Sequence, residues 1–232
     1  MRLSRLLVCF LLIAPARATA APILVNGSFE IGPPVPTHDI DILAGSTEIA
    51  GWLVTGTSID YLGDAWDVSD GTRAVDLDGR DATFSGIQQT FATEIGQTYS
   101  VTFDLSGNPE GGSLLKLLQV SVGDFSQDYS FDSSDQTLDA LIWQTITFSF
   151  LSLETTSTLA FTSLSSTPNS YGPLVDNVSV TAVPEPATVL LIASAFPFLR
   201  RTLLRRTARR SGRGARVLSH LARGPHATIP AS

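Results

Sequence analysis

Along the middle of the chain, apolar and polar residues alternate with a period of two. In TYSVTFDLSG (98–107), Tyr99, Val101, Phe103 and Leu105 alternate with Ser100, Thr102 and Asp104, the rhythm of a strand with one buried face. It returns in LLQVSVG (Leu118, Val120, Val122), WQTITFSF (Ile146, Phe148, Phe150), STLAFTSL (Leu159, Phe161) and LVDNVSVT (Val178, Val180). Turn formers at 107–112 (GNPEGG) and 165–173 (SSTPNSYGP) separate these strands, as antiparallel connections require. A single helical turn is expected at 113–116. Short strands without helical periodicity predict an all-β fold, a two-sheet jelly-roll β-sandwich.

The two ends of the chain break this rhythm. Arg2 and Arg5 precede an apolar run at 6–14, and Ala18-Thr19-Ala20 follows, so residues 1–20 read as a secretory signal peptide with a small-x-small cleavage site. The only cysteine, Cys9, lies inside it, and the mature domain, 21–182, therefore has no disulfide, thiolate metal site or cysteine nucleophile. After that domain comes Val183-Pro184-Glu185-Pro186, an apolar run at 187–199, Arg200-Arg201 and further arginines. Residues 183–206 read as a membrane-directed segment and 207–232 as a disordered basic tail. As a helix the run reaches only about 20 Å, short of a full span, and the arginines behind it fit the cytoplasmic side of a membrane.

Charge separates the same regions. Residues 21–183 carry 21 acidic side chains against Arg73, Arg80 and Lys116, a net charge of −18, whereas nine arginines and no acid follow from Arg200 onward. So acidic a body repels phosphate backbones, which excludes nucleic acid as its partner. Cations or neutral ligands suit it better.

Two resemblances rest on these residues. The tail resembles the PEP-CTERM sorting signal of exported bacterial proteins, with Pro184, Glu185 and Pro186 as its motif. That likeness implies an exosortase-type processing enzyme as partner and transient inner-membrane anchoring through 187–199, followed by release to the cell surface or extracellular matrix. The body, through NGSFE (26–30), IAGW (49–52), SIDYLGDAW (58–66), DGTRAVDLDG (70–79), GIQQTF (86–91), DLSGNPEGG (104–112) and YGPLVDNVSV (171–180), resembles the choice-of-anchor C domain, a relative of plant cell-wall proteins. It implies a galactose-binding-like sandwich that associates with polysaccharide.

Candidate site residues follow from residue type and place. Asp176 shares the strand phase of Leu174, Val178 and Val180, so its carboxylate is expected on the core side, where a charge needs a partner. Resemblance to carbohydrate-binding sandwiches implies that Glu30 and Asp176 hold a structural Ca²⁺, an oxygen-seeking ion; backbone N–H groups are the alternative partner. DLDGRD (76–81) opens like a calcium loop but lacks its later glutamate, and reads as a solvated turn. Trp52, Tyr61 and Trp66 are candidate stacking platforms for sugar rings, with core packing an equal alternative for Trp52 and Tyr61 and Trp66 the best candidate for an exposed ring because Asp64 and Asp67 flank it. Asp60 and Asn108, placed on loops, are candidate hydrogen-bonding partners for hydroxyls, with capping of their own turns the equal alternative.

Catalysis finds little support. His38 is the only histidine of the body, His220 and His226 lie in the tail, and no Gly-x-Ser-x-Gly elbow or histidine cluster occurs. The expected function is a non-catalytic, surface-sorted polysaccharide-binding module, with a structural matrix protein as the alternative and a glycan-active enzyme using paired carboxylates as the less favoured reading.

Overall fold

The computed structural model describes residues 23–166 and 168–184. They form eleven strands: β1 (Asp39–Leu43), β2 (Leu53–Thr55), β3 (Ser58–Leu62), β4 (Val75–Asp76), β5 (Gly86–Ala92), β6 (Thr98–Gly107), β7 (Leu115–Val122), β8 (Phe125–Asp132), β9 (Gln144–Leu151), β10 (Thr156–Ser163) and β11 (Pro173–Ala182). One sheet runs β1-β3-β4-β11-β6-β9 and the other β2-β5-β10-β7-β8, with every pairing antiparallel. The all-β jelly-roll sandwich expected from the alternation is the fold observed. β6, β7, β9, β10 and β11 coincide with the five alternating segments. The helical turn expected at 113–116 is absent: β7 begins at Leu115, and Lys116 is a buried strand residue.

Between the sheets lies a core of fully buried Phe29, Trp52, Tyr61, Phe103 and Phe161, with Ile59, Ile87, Leu105 and Leu118. Its rings make tilted and edge-on contacts, with centroids 5.2 Å apart for Phe29 and Trp52 and 5.0 Å for Phe103 and Phe161. Such geometry suits aromatic quadrupoles. At the open side between β8 and β9, Phe125 and Phe148 stack at 4.1 Å, nearly parallel.

A second, smaller cluster of Leu62, Trp66, Ala74, Leu141 and Leu174 lies on the outer face of the six-stranded sheet. Side chains alternate along a strand, and Ile59, Tyr61, Val75 and Val175 already point into the main core. Loops following β3 and β8 therefore cover part of that face.

β11 carries a bulge. Its register against β6 slips between Asp176 and Ser179, and Asn177 adopts φ 51°, a left-handed conformation that asparagine tolerates better than most residues. The slip keeps Val175, Val178 and Val180 in the main core and turns Asp176 to the other face with Leu174. The shared phase expected of Asp176 and the valines is thereby corrected: it fails because one extra residue changes the parity.

The domain begins and ends on one ladder. Ile23 N–H donates to Val180 O at 3.1 Å, Val178 N–H to Gly27 O at 2.9 Å, and Val183 N–H to Thr98 O at 2.8 Å. The signal peptide at 1–20, the sorting segment from Glu185 through its apolar run, and the tail at 207–232 lie outside the described residues. Among the described residues no helix is long and apolar enough to cross a membrane.

Candidate ligand site

Buried charges tie two loops together at one end of the sandwich. Asp76, on β4, is fully buried. Its Oδ1 accepts hydrogen bonds from the backbone N–H groups of Asp78 and Gly172, both at 2.9 Å, and its Oδ2 accepts one from Asn108 Nδ2 at 2.8 Å. Asn108 N–H donates to Gly172 O, and Asn108 Oδ1 caps Glu110 N–H. Lys116, 4% exposed, donates from Nζ to the carbonyls of Gly111 and Tyr171, each at 2.8 Å. Asn169 Nδ2 reaches Asp78 Oδ2. Burial pushes the Asp76 and Asp78 carboxyls up, against hydrogen bonds from the Asp78 N–H and Asn108 to Asp76 and from serine hydroxyls and Asn169 to Asp78; burial pushes the Lys116 ammonium down, against attraction from both carboxylates.

Held in this way, the loops at 107–112 and 164–172 wall a cleft of about 210 Å³ lined by Gly112, Leu115, Leu117, Ser165, Asn169 and Tyr171. Tyr171 is 36% exposed. Its ring lies against Gly111, where a Cβ would come within 2.6 Å of it; glycine is what lets the ring lie there. A half-open aromatic ring beside hydroxyl and amide groups is a surface that suits a sugar: the ring meets the apolar face of a pyranose and the polar groups meet its hydroxyls.

An acidic cleft of about 370 Å³ opens at the edge of the six-stranded sheet, lined by Asp39, Ile40, Asp41, Asp60, Arg80 and Ser170. Asp41 is directly opposite Asp60, and Asp60 opposite Asp76, so the three share one face. Burial, followed by repulsion from Asp39 and Asp41, raises Asp60 to about 7 against the pull of Arg80.

The aromatic candidates prove structural. Trp52 is 1% exposed and its Nε1 donates to Asn26 O at 2.9 Å. Tyr61 is fully buried, with its hydroxyl donating to Phe29 O. Trp66, expected as the open platform, is 5% exposed in the second cluster; its acidic neighbours reach solvent while the indole turns under the loop. None of the three presents a free ring face. Asp60 is a β3 residue, not a loop residue, and does line a cleft. Asn108 does sit in a loop, but it is buried, and both ends of its amide are engaged within the protein.

Glu30 and Asp176 grip one loop from two sides. Glu30 Oε1 accepts from the N–H groups of Thr72 and Arg73 at 2.9 Å, and Oε2 from Thr72 Oγ1. Asp176 Oδ2 accepts from Asp70 N–H at 2.8 Å and Oδ1 from Asn177 N–H. Burial nevertheless raises Asp176 to about 7 and Asp70 adds to the rise, against these amides. The anticipated alternative of backbone N–H partners is thus present. The pair is an oxygen-only donor set, the kind Ca²⁺ takes, although no group of three or more acidic, histidine or cysteine side chains converges on a metal position among the described residues. Asp104 contrasts with Asp176: burial raises it, but hydrogen bonds from Ser69, Thr145 and Asn177 outweigh burial and hold it below the usual range.

Sequence reasoning passed over Tyr171 and Lys116 and read DLDGRD as a solvated turn, whereas Asp76 and Asp78 are fully buried, Asp76 as a strand residue of β4. Lys116 carried a signal, as the body's only lysine set between leucines in LLKLL. Tyr171 carried less, being one aromatic inside a turn-rich stretch.

Comparison with known proteins places these findings. The family described as "Protein of unknown function (DUF642)" matches residues 22–181. Halomucin of Haloquadratum walsbyi is 28% identical over 169 residues, covering 69% of this chain. The chain spans only 2% of the length of that relative. Among solved structures, TmCBM61 in complex with β-1,4-galactotriose aligns over 71% of this chain and 100% of its own, with 14% identity and a TM-score of 0.48. The CBM22-1 xylan-binding domain of Paenibacillus barcinonensis Xyn10C aligns over 63% of this chain and 95% of its own, with 13% identity and a TM-score of 0.43.

Proposed function

The chain belongs to the DUF642 family, and from that premise we propose that it is an exported, non-catalytic module that binds a neutral polysaccharide of the cell envelope or extracellular matrix. The observation that carries this reading is the half-exposed Tyr171 ring in the cleft between the 107–112 and 164–172 loops, which buried Lys116 and Asp76 hold in place. About 210 Å³ is below the usual range for larger ligands and suits one ring, at the end or side of a glycan. The net charge of −18 on residues 21–183 favours neutral sugars over uronic acids.

Glycan-array binding by residues 21–183 tests this. Tyr171→Ala is expected to weaken binding about fivefold or more, on the order of 1 kcal/mol for the loss of one aromatic contact, while leaving the melting temperature within a few degrees. Flat signal across neutral glycans overturns the reading.

Two further parts of the proposal rest on sequence. The choice-of-anchor C likeness and the PEP-CTERM pattern at Pro184, Glu185 and Pro186 support sorting by an exosortase-type enzyme, with 187–199 in the inner membrane until cleavage. A tagged chain followed in cells with and without that enzyme should shift to a smaller, released form only when the enzyme is present. Glu30 and Asp176 would hold a structural Ca²⁺ that neutralises the carboxylate Asp176 cannot pair with a basic side chain. Chelation with EDTA is then expected to lower the melting temperature, and added Ca²⁺ to restore it; identical melts with and without EDTA remove the ion from the scheme.

A further inference from the structure

Lys116 is the only lysine of residues 21–183, and the fold puts it where an ammonium gains least from its charge. It takes a core-facing position of β7, in phase with Leu118, Val120 and Val122, and is 4% exposed. Lysine is almost never buried so fully unless it is paired. Among the described residues its Nζ meets the carbonyls of Gly111 and Tyr171, each at 2.8 Å, and no carboxylate within ion-pair distance.

An amide side chain stands beside it. Asn169 Oδ1 accepts the Tyr171 N–H at 2.8 Å, and its Nδ2 donates to Asp78 Oδ2 at 3.3 Å. Lys116 and Asn169 therefore bracket one residue, the first holding the carbonyl of Tyr171 and the second its N–H. Both also close on Gly112, where a Cβ would meet Asn169 Oδ1 at 3.4 Å and Lys116 Nζ at 3.7 Å. Asp78 is fully buried.

These are the parts an amide exchange needs. A side-chain carbonyl that accepts a backbone N–H is a polarised electrophile. A buried carboxyl bonded to the departing nitrogen is a proton donor. A desolvated lysine amine is the nucleophile. Burial lowers Lys116 and raises Asp78, which favours the uncharged forms from which the step begins.

We propose that Lys116 and Asn169 join in an intramolecular amide, made by the folded domain itself with Asp78 as proton carrier. Lys116 turns about its own side-chain bonds, leaves the Tyr171 carbonyl, and attacks Asn169 Cγ through Nζ. The Nζ–Cγ bond forms and the Cγ–Nδ2 bond breaks. Nδ2 departs as ammonia with a proton from Asp78, which recovers one from Nζ. Nothing is oxidised or reduced, and no co-reactant is consumed. The link ties β7 to the 164–172 loop in a domain whose residues 21–182 contain no cysteine. As with a disulfide, closing a long stretch of chain restrains the unfolded state, and here it also fixes one wall of the Tyr171 cleft.

Mass spectrometry of the purified, denatured chain tests this. The wild-type protein is expected to be lighter than its sequence by one ammonia, about 17 Da, and a proteolytic digest to yield a branched peptide joining 116 and 169. Lys116→Arg and Asn169→Ala should each restore the full mass, and Asp78→Asn should leave most molecules unlinked. A wild-type chain of full mass overturns the inference. So does an ammonia deficit that persists in Lys116→Arg, which places the loss in another amide, such as Asn26 closing on Gly27. Full linkage in Asp78→Asn removes Asp78 from the step. Tyr171→Ala, which weakens glycan binding, is expected to carry the link unchanged, so the two results stand apart.

Discussion

Asp60 and Lys116 show how single ionisable groups are held under tension in this protein. Asp60 is raised to about 7 by burial and by Asp39 and Asp41, against about 3.9 in an unfolded chain. The folded state therefore keeps its proton longer than the unfolded state does. Between about pH 4 and pH 7 this group makes stability fall as pH rises; above pH 7 its effect is constant. Asp60→Asn is expected to raise the melting temperature at pH 8 and leave it unchanged at pH 4, as measured by calorimetry at both values. Lys116→Met would leave Asp76 and Asp78 without a cation and the Gly111 and Tyr171 carbonyls without a donor. Leaving buried acceptors unpaired costs roughly 1–3 kcal/mol each, which urea unfolding would register, and glycan binding should be lost with it. Asp60 was singled out in the sequence as a hydroxyl partner on a loop, whereas it is a β3 residue beside a cleft. Trp52 and Tyr61 follow the core-packing reading, whereas Trp66 departs from the expected open platform because a loop can turn its carboxylates outward and its indole inward, as here between Asp64 and Asp67.

Strands were legible wherever the alternation was clean. β5 was hidden because Gln89, 5% exposed and bonded to the backbone of Val25, interrupts the apolar rhythm of Ile87 and Phe91. β8 does alternate, with Phe125, Tyr129 and Phe131 in one phase, but a glutamine breaks that phase as well. Nothing in the sequence marked the β11 bulge, since its effect is a change of parity with no change of residue type. Close backbone approach is a further property of elements. At Gly86, opposite Thr162 on β10, a Cβ would fall 2.0 Å from Phe161 O. Gly86→Ala must push β5 away from β10, at roughly 3 kcal/mol by comparison with other overpacked sites, and a chemical-denaturation midpoint shift of that size is expected.

At the scale of the whole molecule, one aromatic core holds the two sheets together without a disulfide, because the chain's single cysteine, Cys9, falls outside residues 21–182. Phe161 touches both Trp52 and Phe103 in that core. Phe161→Ala should cost roughly 3–5 kcal/mol, measurable as a lowered unfolding midpoint. The ladder that joins the first and last described residues also fixes how the domain answers a pull. Ile23 and Val183 leave it at the same end, so a load applied through both reaches the Ile23–Val180 bond first and the Gly27–Val178 bond only after it. Links broken in turn resist far less than links loaded abreast, and under traction this domain peels open like a zip.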